Sequence, residues 1–267
     1  MNEYQLLDSG EGQKLEKFGS QILLRPCAQA VWYRSQKEEP DAVFVRDKKW
    51  TFHKKLPKTW TIMHGGVAFQ ISPTDFGHLG LFPEHADLWE WMRGEIQGKK
   101  LRILNLFAYS GGVTLAVAQE GAEVCHLDAS KGMVDWAREN AKLNDLQKAP
   151  IRWIVDDALK FLKREKKRKS FYDGIVLDPP TFGRGSKGEF FKIERDVMPL
   201  LELCSGVLSK NPQFVIFSCH TPGFTPLCLQ HLLRQTMPKG HIDTGEMALH
   251  SPGTISIPSG SFAKWTP

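Results

Sequence analysis

Asp178 and Cys219 are the side chains whose surroundings best equip them for chemistry on a flat, polar substrate. The carboxylate opens the run Asp178-Pro179-Pro180-Thr181-Phe182, straight after an apolar stretch at 172–177. Proline after Asp178 stiffens the segment and denies it a helical start, so the carboxylate and neighbouring carbonyls stay aimed at a ligand. Phe182 offers an aromatic face on which an unpaired base can stack; its other reading is a core filler. Cys219 closes Phe217-Ser218-Cys219 after a second apolar stretch at 213–218. Its thiol is either a nucleophile or a small buried hydrophobe. His220 alternates to the other face of an extended segment, so adjacency alone does not make it a base for Cys219.

A third apolar stretch, 101–107, runs into Phe107-Ala108-Tyr109-Ser110-Gly111-Gly112. Glycine there lets a ligand approach the backbone and the start of the next helix. The spacing is not the Gly-x-Gly-x-x-Gly that closes on a pyrophosphate. A ligand carrying a carboxylate and an ammonium, as S-adenosylmethionine (SAM) does, suits this mixed loop; a tight turn with no ligand is the alternative. Asp128 ends the next apolar stretch, 123–127, and is placed to accept hydrogen bonds from ribose hydroxyls or to cap the following helix. Asp156-Asp157 follows the stretch at 151–155. The Asp157 carboxylate is placed for an adenine amino group, or for the electropositive start of a helix. The three positions in this order say more than any one alone.

These residues need a frame that brings strand ends to one edge. From about residue 84 apolar strands alternate with helices, which predicts a parallel α/β sheet. Strands are expected at 101–107, 123–127, 151–155, 172–177 and 213–218, with two more in the tail at 241–249 and 254–263. Helices are expected at 86–97, 113–119, 132–144 (capped by Ser130), 159–168, 195–208 and 225–235. Residues 1–80 differ in texture: short β-rich stretches at 21–24, 42–45, 60–63 and 67–71 predict a small β domain that can contact RNA or substrate. The catalytic domain is then 81–267. Since parallel strands end on the same side, the loops after 107, 128, 155, 177 and 218 open onto one crevice.

The stretch from Asn105 to Gly112, then Asp128, Asp157 and Asp178 to Phe182, resembles the class I SAM-dependent methyltransferases. Within them it is most similar to bacterial large-subunit rRNA methyltransferases acting on cytosine C5 or guanine N7. Gly80-Leu81-Phe82-Pro83-Glu84-His85 is similar to that group's cofactor-covering segment, except that Ala86 stands where the group has arginine. The resemblance covers roughly 75–265, including the tail Pro258-Ser259-Gly260-Ser261. It implies an α/β, doubly wound, Rossmann-like sheet of seven strands with a small N-terminal β domain. It implies SAM held by Phe82, Asn105, Phe107, Tyr109, Ser110, Gly111, Asp128, Asp157 and Asp178, and a base held by Asp178, Pro179, Pro180 and Phe182. Phe217-Ser218-Cys219 is similar to the cytosine-C5 group, which needs a nucleophilic cysteine, whereas Asp178 to Phe182 is more similar to the guanine-N7 group, which does not. The group's N-terminal RNA-binding domain is not expected, since the first 80 residues look like its β-hairpin insert with a short lead.

Charge and composition agree with RNA without requiring it. The net charge is +5 over 267 residues, and basic residues interleave with aromatics at Arg46, Lys48, Lys49, Trp50, Lys54, Lys55, Lys58 and Trp60. The run 163–169 is the densest in positive charge and reads as a phosphate contact or a solvated helix end. The loop 183–188, with Lys187, is expected to be a flexible lid or substrate clamp. Five cysteines without a Cys-x-x-Cys pair suit a reducing cytosol, and the nine histidines show no metal-ligand spacing. No signal peptide and no membrane segment is expected, so the predicted location is cytoplasmic. Methylation of a small molecule or protein, and RNA binding without turnover, are the rival readings; oligomeric state is not readable.

Overall fold

The computed structural model describes the chain except residues 1–2, 36–37, 46–48, 186–187, 252 and 254. Arg46, Lys48 and Lys187 therefore lie outside the described residues. Two compact units divide the chain: 1–87 together with 248–259, and 88–247 together with 260–267.

In the first unit, β1 (Tyr4–Gly10), β2 (Gln13–Phe18), β3 (Gln21–Pro26), β4 (Ala42–Val45) and β5 (Lys49–Phe52) form one sheet in that order. Neighbours are antiparallel except β3 and β4, which run parallel. A separate hairpin pairs β6 (Trp60–His64) with β7 (Val67–Ile71). Leu6, Cys27, Ala30, Leu249 and Ile257 make a buried cluster. Trp50 donates its indole N–H to the Thr74 carbonyl (2.8 Å), and Trp60 donates to that of Phe18 (2.9 Å). These tryptophans of the basic-aromatic stretch are thus tied into the β framework.

Glu16 is the most deeply buried of several charged groups in this unit. Glu16 has no exposed side-chain surface and accepts two hydrogen bonds from Arg25, at 2.7 and 2.8 Å. Arg25 also donates to the Gly77 carbonyl at 3.0 Å, and Lys14 lies 3.2 Å from Glu16. Burial pushes the Glu16 carboxyl up, but the charges of Arg25 and Lys14 outweigh it and hold the group below its usual range.

The second unit is built from α1 (Ala86–Ile96), which begins at the boundary, then β8 (Arg102–Leu106), α2 (Gly112–Gln119), β9 (Glu123–Asp128), α3 (Lys131–Leu143), β10 (Ile151–Val155) and α4 (Ala158–Arg168). There follow β11 (Gly174–Leu177), β12 (Phe182–Arg184), β13 (Phe190–Lys192), α5 (Ile193–Ser205), β14 (Phe214–Cys219), α6 (Pro226–Thr236), β15 (His241–Leu249) and β16 (Ile257–Thr266), of which 248–249 and 257–259 count with the first unit. The large sheet has the order β10-β9-β8-β11-β14-β16-β15. From β10 to β14 all pairs are parallel, and β16 runs antiparallel to β14. This is the seven-stranded α/β sheet expected. Every residue of β11 and of β14 is buried, as strands covered on both faces require. Ser130 caps α3 as predicted, accepting from the Met133 N–H. Among the described residues no helix is long and apolar enough to cross a membrane.

Three boundaries differ from the sequence expectation. Strand β11 starts at Gly174, because Tyr172 leaves the ladder to donate its hydroxyl to Glu165 (2.7 Å) and forms only an isolated bridge with Leu208. The last strand is shifted to Ile257–Thr266. Of the loop expected at 183–188, Gly183 and Arg184 belong instead to β12, which pairs with β13 in an antiparallel hairpin.

Candidate active site

In an open α/β sheet the binding crevice forms where strand order reverses, because the loops from the two neighbouring strands diverge there. Here the order reverses between β8 and β11. The loop after β8 is Phe107 to Gly111, and the loop after β11 begins at Asp178. The two segments that stood out by residue type are therefore the ones that topology brings together.

The loop after β8 carries unusual backbone. Phe107 (φ 56°) and Tyr109 (φ 50°) are both left-handed although neither is glycine. Such conformations persist where surrounding bonds enforce them, and they cluster at ligand sites. The enforcing bonds are present. The Ala108 N–H donates to the Leu127 carbonyl (3.0 Å), the Tyr109 N–H to Asp128 Oδ2 (2.9 Å), and Asn140 Nδ2 to the Ser110 carbonyl (2.9 Å). Gly111 (φ 95°) completes the turn as the cap of α2. A Cβ on Gly112 would lie 2.6 Å from the buried Trp89 ring, so the helix start is packed without room for a side chain. The first N–H groups of α2 have no intrahelical acceptor and are available to an anion.

Asp128 is half-buried at the end of β9 and accepts from Tyr109 N–H on one oxygen and Ser130 N–H on the other (2.8 Å). Burial pushes the Asp128 carboxyl above its usual range, and these two bonds offset that only in part. Each oxygen keeps a lone pair for a hydroxyl ligand. Asp157 caps α4, accepting from the Lys160 N–H at 2.8 Å with Oδ1. The helix-cap reading of Asp157 is thus what its Oδ1 does.

Asn105 is oriented differently from its expected role. It is 3% exposed and donates to Thr114 Oγ1 (3.0 Å), which in turn meets His126 Nδ1 (2.9 Å). Its carboxamide thus joins β8 to α2 and β9 instead of reaching a ligand. Phe82 belongs to the first unit, half-buried, with its ring edge-on to His78 and His85.

His126 has no exposed surface, and among the described residues its Nε2 has no hydrogen-bond partner. Burial holds its pKa down at about 3, against an ordinary 6.5. The neutral ring is the folded form, so its stabilising contribution is complete above pH 6.5 and is lost as pH falls toward 3. The expected loss is about 1.4 kcal/mol per pH unit below 6.5. Thermal melts from pH 7.5 to pH 4.5 of the protein and of His126→Asn, which keeps a polar partner for Thr114, measure it. The variant is expected to lose stability more gently with acid. Parallel curves would refute this.

At the other strand ends, His220 Nδ1 lies 3.3 Å from Asp178 Oδ1, and both side chains are partly exposed. His220 was set aside as a partner for Cys219; its geometry pairs it with Asp178 on the neighbouring strand. Thr181 and Thr221 join the two loops through their hydroxyls at 2.8 Å. The signal for both contacts is register, since β11 and β14 end side by side, with Leu177 opposite Phe217. Cys219 is 1% exposed, and its sulfur accepts from the Thr221 N–H at 3.4 Å. Burial pushes the thiol up, and the Asp178 charge adds to this. Pro179 is buried, while Pro180 and Phe182 are exposed, Phe182 at the start of β12.

Comparison with known proteins agrees with this arrangement. Residues 36–219 match the S-adenosylmethionine-dependent methyltransferase family profile. The SAM-dependent methyltransferase of Agrobacterium tumefaciens is 36% identical, superposing with a TM-score of 0.95 over 100% of this chain and 91% of that one. A methyltransferase complexed with S-adenosylhomocysteine shares the fold, with a TM-score of 0.80 at 18% identity over 99% and 76% of the two chains. The ribosomal RNA large subunit methyltransferase K/L of Hahella chejuensis is 35% identical over 165 residues, 61% of this chain. The chain spans only 22% of the length of that relative. A methyltransferase sheet with this strand order, a strained loop at its reversal point and a match over most of its length place this chain among the S-adenosylmethionine-dependent methyltransferases.

Proposed function

We propose that the protein transfers a methyl group from SAM to a ring nitrogen of a base in large-subunit ribosomal RNA, guanine N7 by resemblance, and not to cytosine C5. The observation that carries the choice of atom is the state of Cys219. Carbon 5 of cytosine becomes nucleophilic only after a thiolate adds to carbon 6, so the thiol must be reachable and ionised. Cys219 is buried and its thiol is held in the protonated form. A guanine nitrogen has its own lone pair and needs no covalent step. The ribosomal substrate is supported by likeness to relatives that bear that name.

When bound, SAM supplies an electrophilic methyl group on a sulfonium. Tyr109, Gly111 and the start of α2 would hold its polar end, Asp128 its ribose hydroxyls and Asp157 the adenine edge. Phe107 and Ser110 shape the turn between them. On the acceptor side, the Asp178 carboxylate takes hydrogen bonds from the N–H groups of the base, and His220 keeps that carboxylate in place. Pro179 and Pro180 hold the loop rigid, and Phe182 stacks on the base. Since methyl transfer is an in-line displacement, positioning of donor and acceptor is the main task of these residues.

Incubation with methyl-labelled SAM and separated RNA, protein and metabolite fractions tests the substrate class; label confined to protein or metabolites would sink the RNA reading. Cys219→Ala tests the atom. It is expected to keep turnover within about twofold of the unmodified protein. A loss of several orders of magnitude would restore the C5 chemistry.

A further inference from the structure

The β12–β13 hairpin has an outer face that packing does not account for. Its register pairs Phe182 with Lys192, Gly183 with Phe191 and Arg184 with Phe190. Side chains alternate along a strand, so these pairs sort onto two faces. Phe191 faces inward, joins the core and meets the Phe107 ring at 5.3 Å, with Gly183 opposite it. Phe182, Arg184, Phe190 and Lys192 face outward, and all four are exposed. Burial would select against two phenylalanines on the solvent side of so short a hairpin, yet they remain 47% and 42% exposed. Their rings meet edge to face, 4.2 Å apart and inclined at 81°. The Arg184 guanidinium lies 5.9 Å from the Phe182 ring centre, and that of Arg195, on α5, lies 5.7 Å from Phe190. Of the nearby acids, Glu189 pairs with Lys160 (2.6 Å), while Asp196 pairs with Arg195 itself (2.7 Å), which leaves Arg184 and Lys192 as the cations of the outer face for an anion.

We propose that this face is a platform that splays two successive unpaired nucleotides of the RNA, the acceptor base on Phe182 and its neighbour on Phe190. The inference rests on the RNA reading above and deepens it. Aromatic faces stack on any unpaired base. Two rings near a right angle cannot serve bases that remain stacked on each other, so adjacent nucleotides bound here are turned apart. Arg184 and Lys192 then meet the phosphates, while Arg195, held by Asp196 and the Phe190 carbonyl, lies beside the Phe190 ring. Duplex RNA offers no free base faces, and an apolar protein partner would not favour a surface with a cation beside each ring. The hairpin follows Pro180 directly, which ties the platform to the acceptor loop.

Full-length protein with Phe190→Ala and with Phe190→Tyr decides this. Binding is read by fluorescence anisotropy with a labelled single-stranded 12-nucleotide RNA of mixed sequence and with its duplex. Phe190→Ala is expected to weaken single-strand binding tenfold to a hundredfold, on the order of one lost base stack. It should raise KM for ribosomal RNA more than it lowers kcat, and Phe190→Tyr should restore binding. Arg184→Gln, on the solvent side, should flatten the salt dependence by about one counterion. Unchanged affinity in folded Phe190→Ala, or tighter binding of the duplex than of the single strand, would overturn the platform. Failure of the unmodified protein to bind either RNA would instead overturn the RNA reading itself.

Discussion

Asp178→Asn is expected to lower kcat for methyl transfer about a hundredfold or more while the protein melts at an unchanged temperature. The substitution keeps the shape of the side chain and removes its charge. The carboxylate sits at the reversal point of the sheet, 3.3 Å from His220 and partly exposed, where the acceptor base is proposed to lie. An amide in its place presents one acceptor oxygen and one donor group, so half of its contacts with base N–H groups become repulsive. Losses of this size are usual when one positioned polar group at a reacting centre is removed. His220→Gln should follow in the same direction with a smaller loss, because it acts through Asp178. Steady-state rates with labelled SAM, beside thermal melts, check both. Turnover within about twofold of the unmodified protein would show that Asp178 does not touch the acceptor.

The second large effect is on stability. Arg25→Met leaves the Glu16 carboxylate, which has no exposed side-chain surface, with Lys14 as its only paired cation among the described residues. Removing one partner of a buried ion pair costs about 3–5 kcal/mol, most of it the penalty of the stranded charge. Replacing both partners is much milder, since the charge that needed compensation is gone. Arg25→Met is therefore expected to be severely destabilised, and Arg25→Met with Glu16→Leu to recover most of the loss. Urea unfolding of the two variants and the unmodified protein, followed by a probe in the first unit, measures the cycle. A single variant within about 1 kcal/mol of the unmodified protein would refute the argument.

The parts of this fold that sequence made legible are those with one dominant physical signal. Strands β8, β11 and β14 are buried on both faces beyond Arg102, so they read as mainly apolar runs, and their ends located the loops at 107–112 and 178–182. Ser130 was visible as a cap because its hydroxyl has a local partner, three residues on. Features set by long-range pairing were not visible. Strands β1 and β2 mix charge with apolar residues, since a buried glutamate on β2 answers an arginine on β3. The β12–β13 hairpin hid behind glycine and charge, although Phe-Gly-Arg and Phe-Phe-Lys flanking a glycine-rich turn is a hairpin pattern.

At the site the same division holds. Phe107 and Tyr109 both have left-handed backbone in the candidate cofactor loop, and nothing in their residue type announces it. Asn105 was assigned to the cofactor by resemblance, but its carboxamide donates to Thr114, which in turn meets His126. His220 was judged against Cys219, its chain neighbour, whereas its partner came from the adjacent strand. The state of Cys219 depends on burial, which two residues of local sequence do not encode.

The central claim is that a strained loop and a fixed carboxylate at the reversal point of this sheet methylate a base in ribosomal RNA. Mass-spectrometric mapping of large-subunit RNA from cells with and without the protein tests it most directly. One nucleotide is predicted to carry a methyl group only when the protein is present, on a ring nitrogen of guanine, and to keep it in cells expressing Cys219→Ala. Identical modification maps with and without the protein, or a methyl group on cytosine C5 that disappears in Cys219→Ala, would contradict the account.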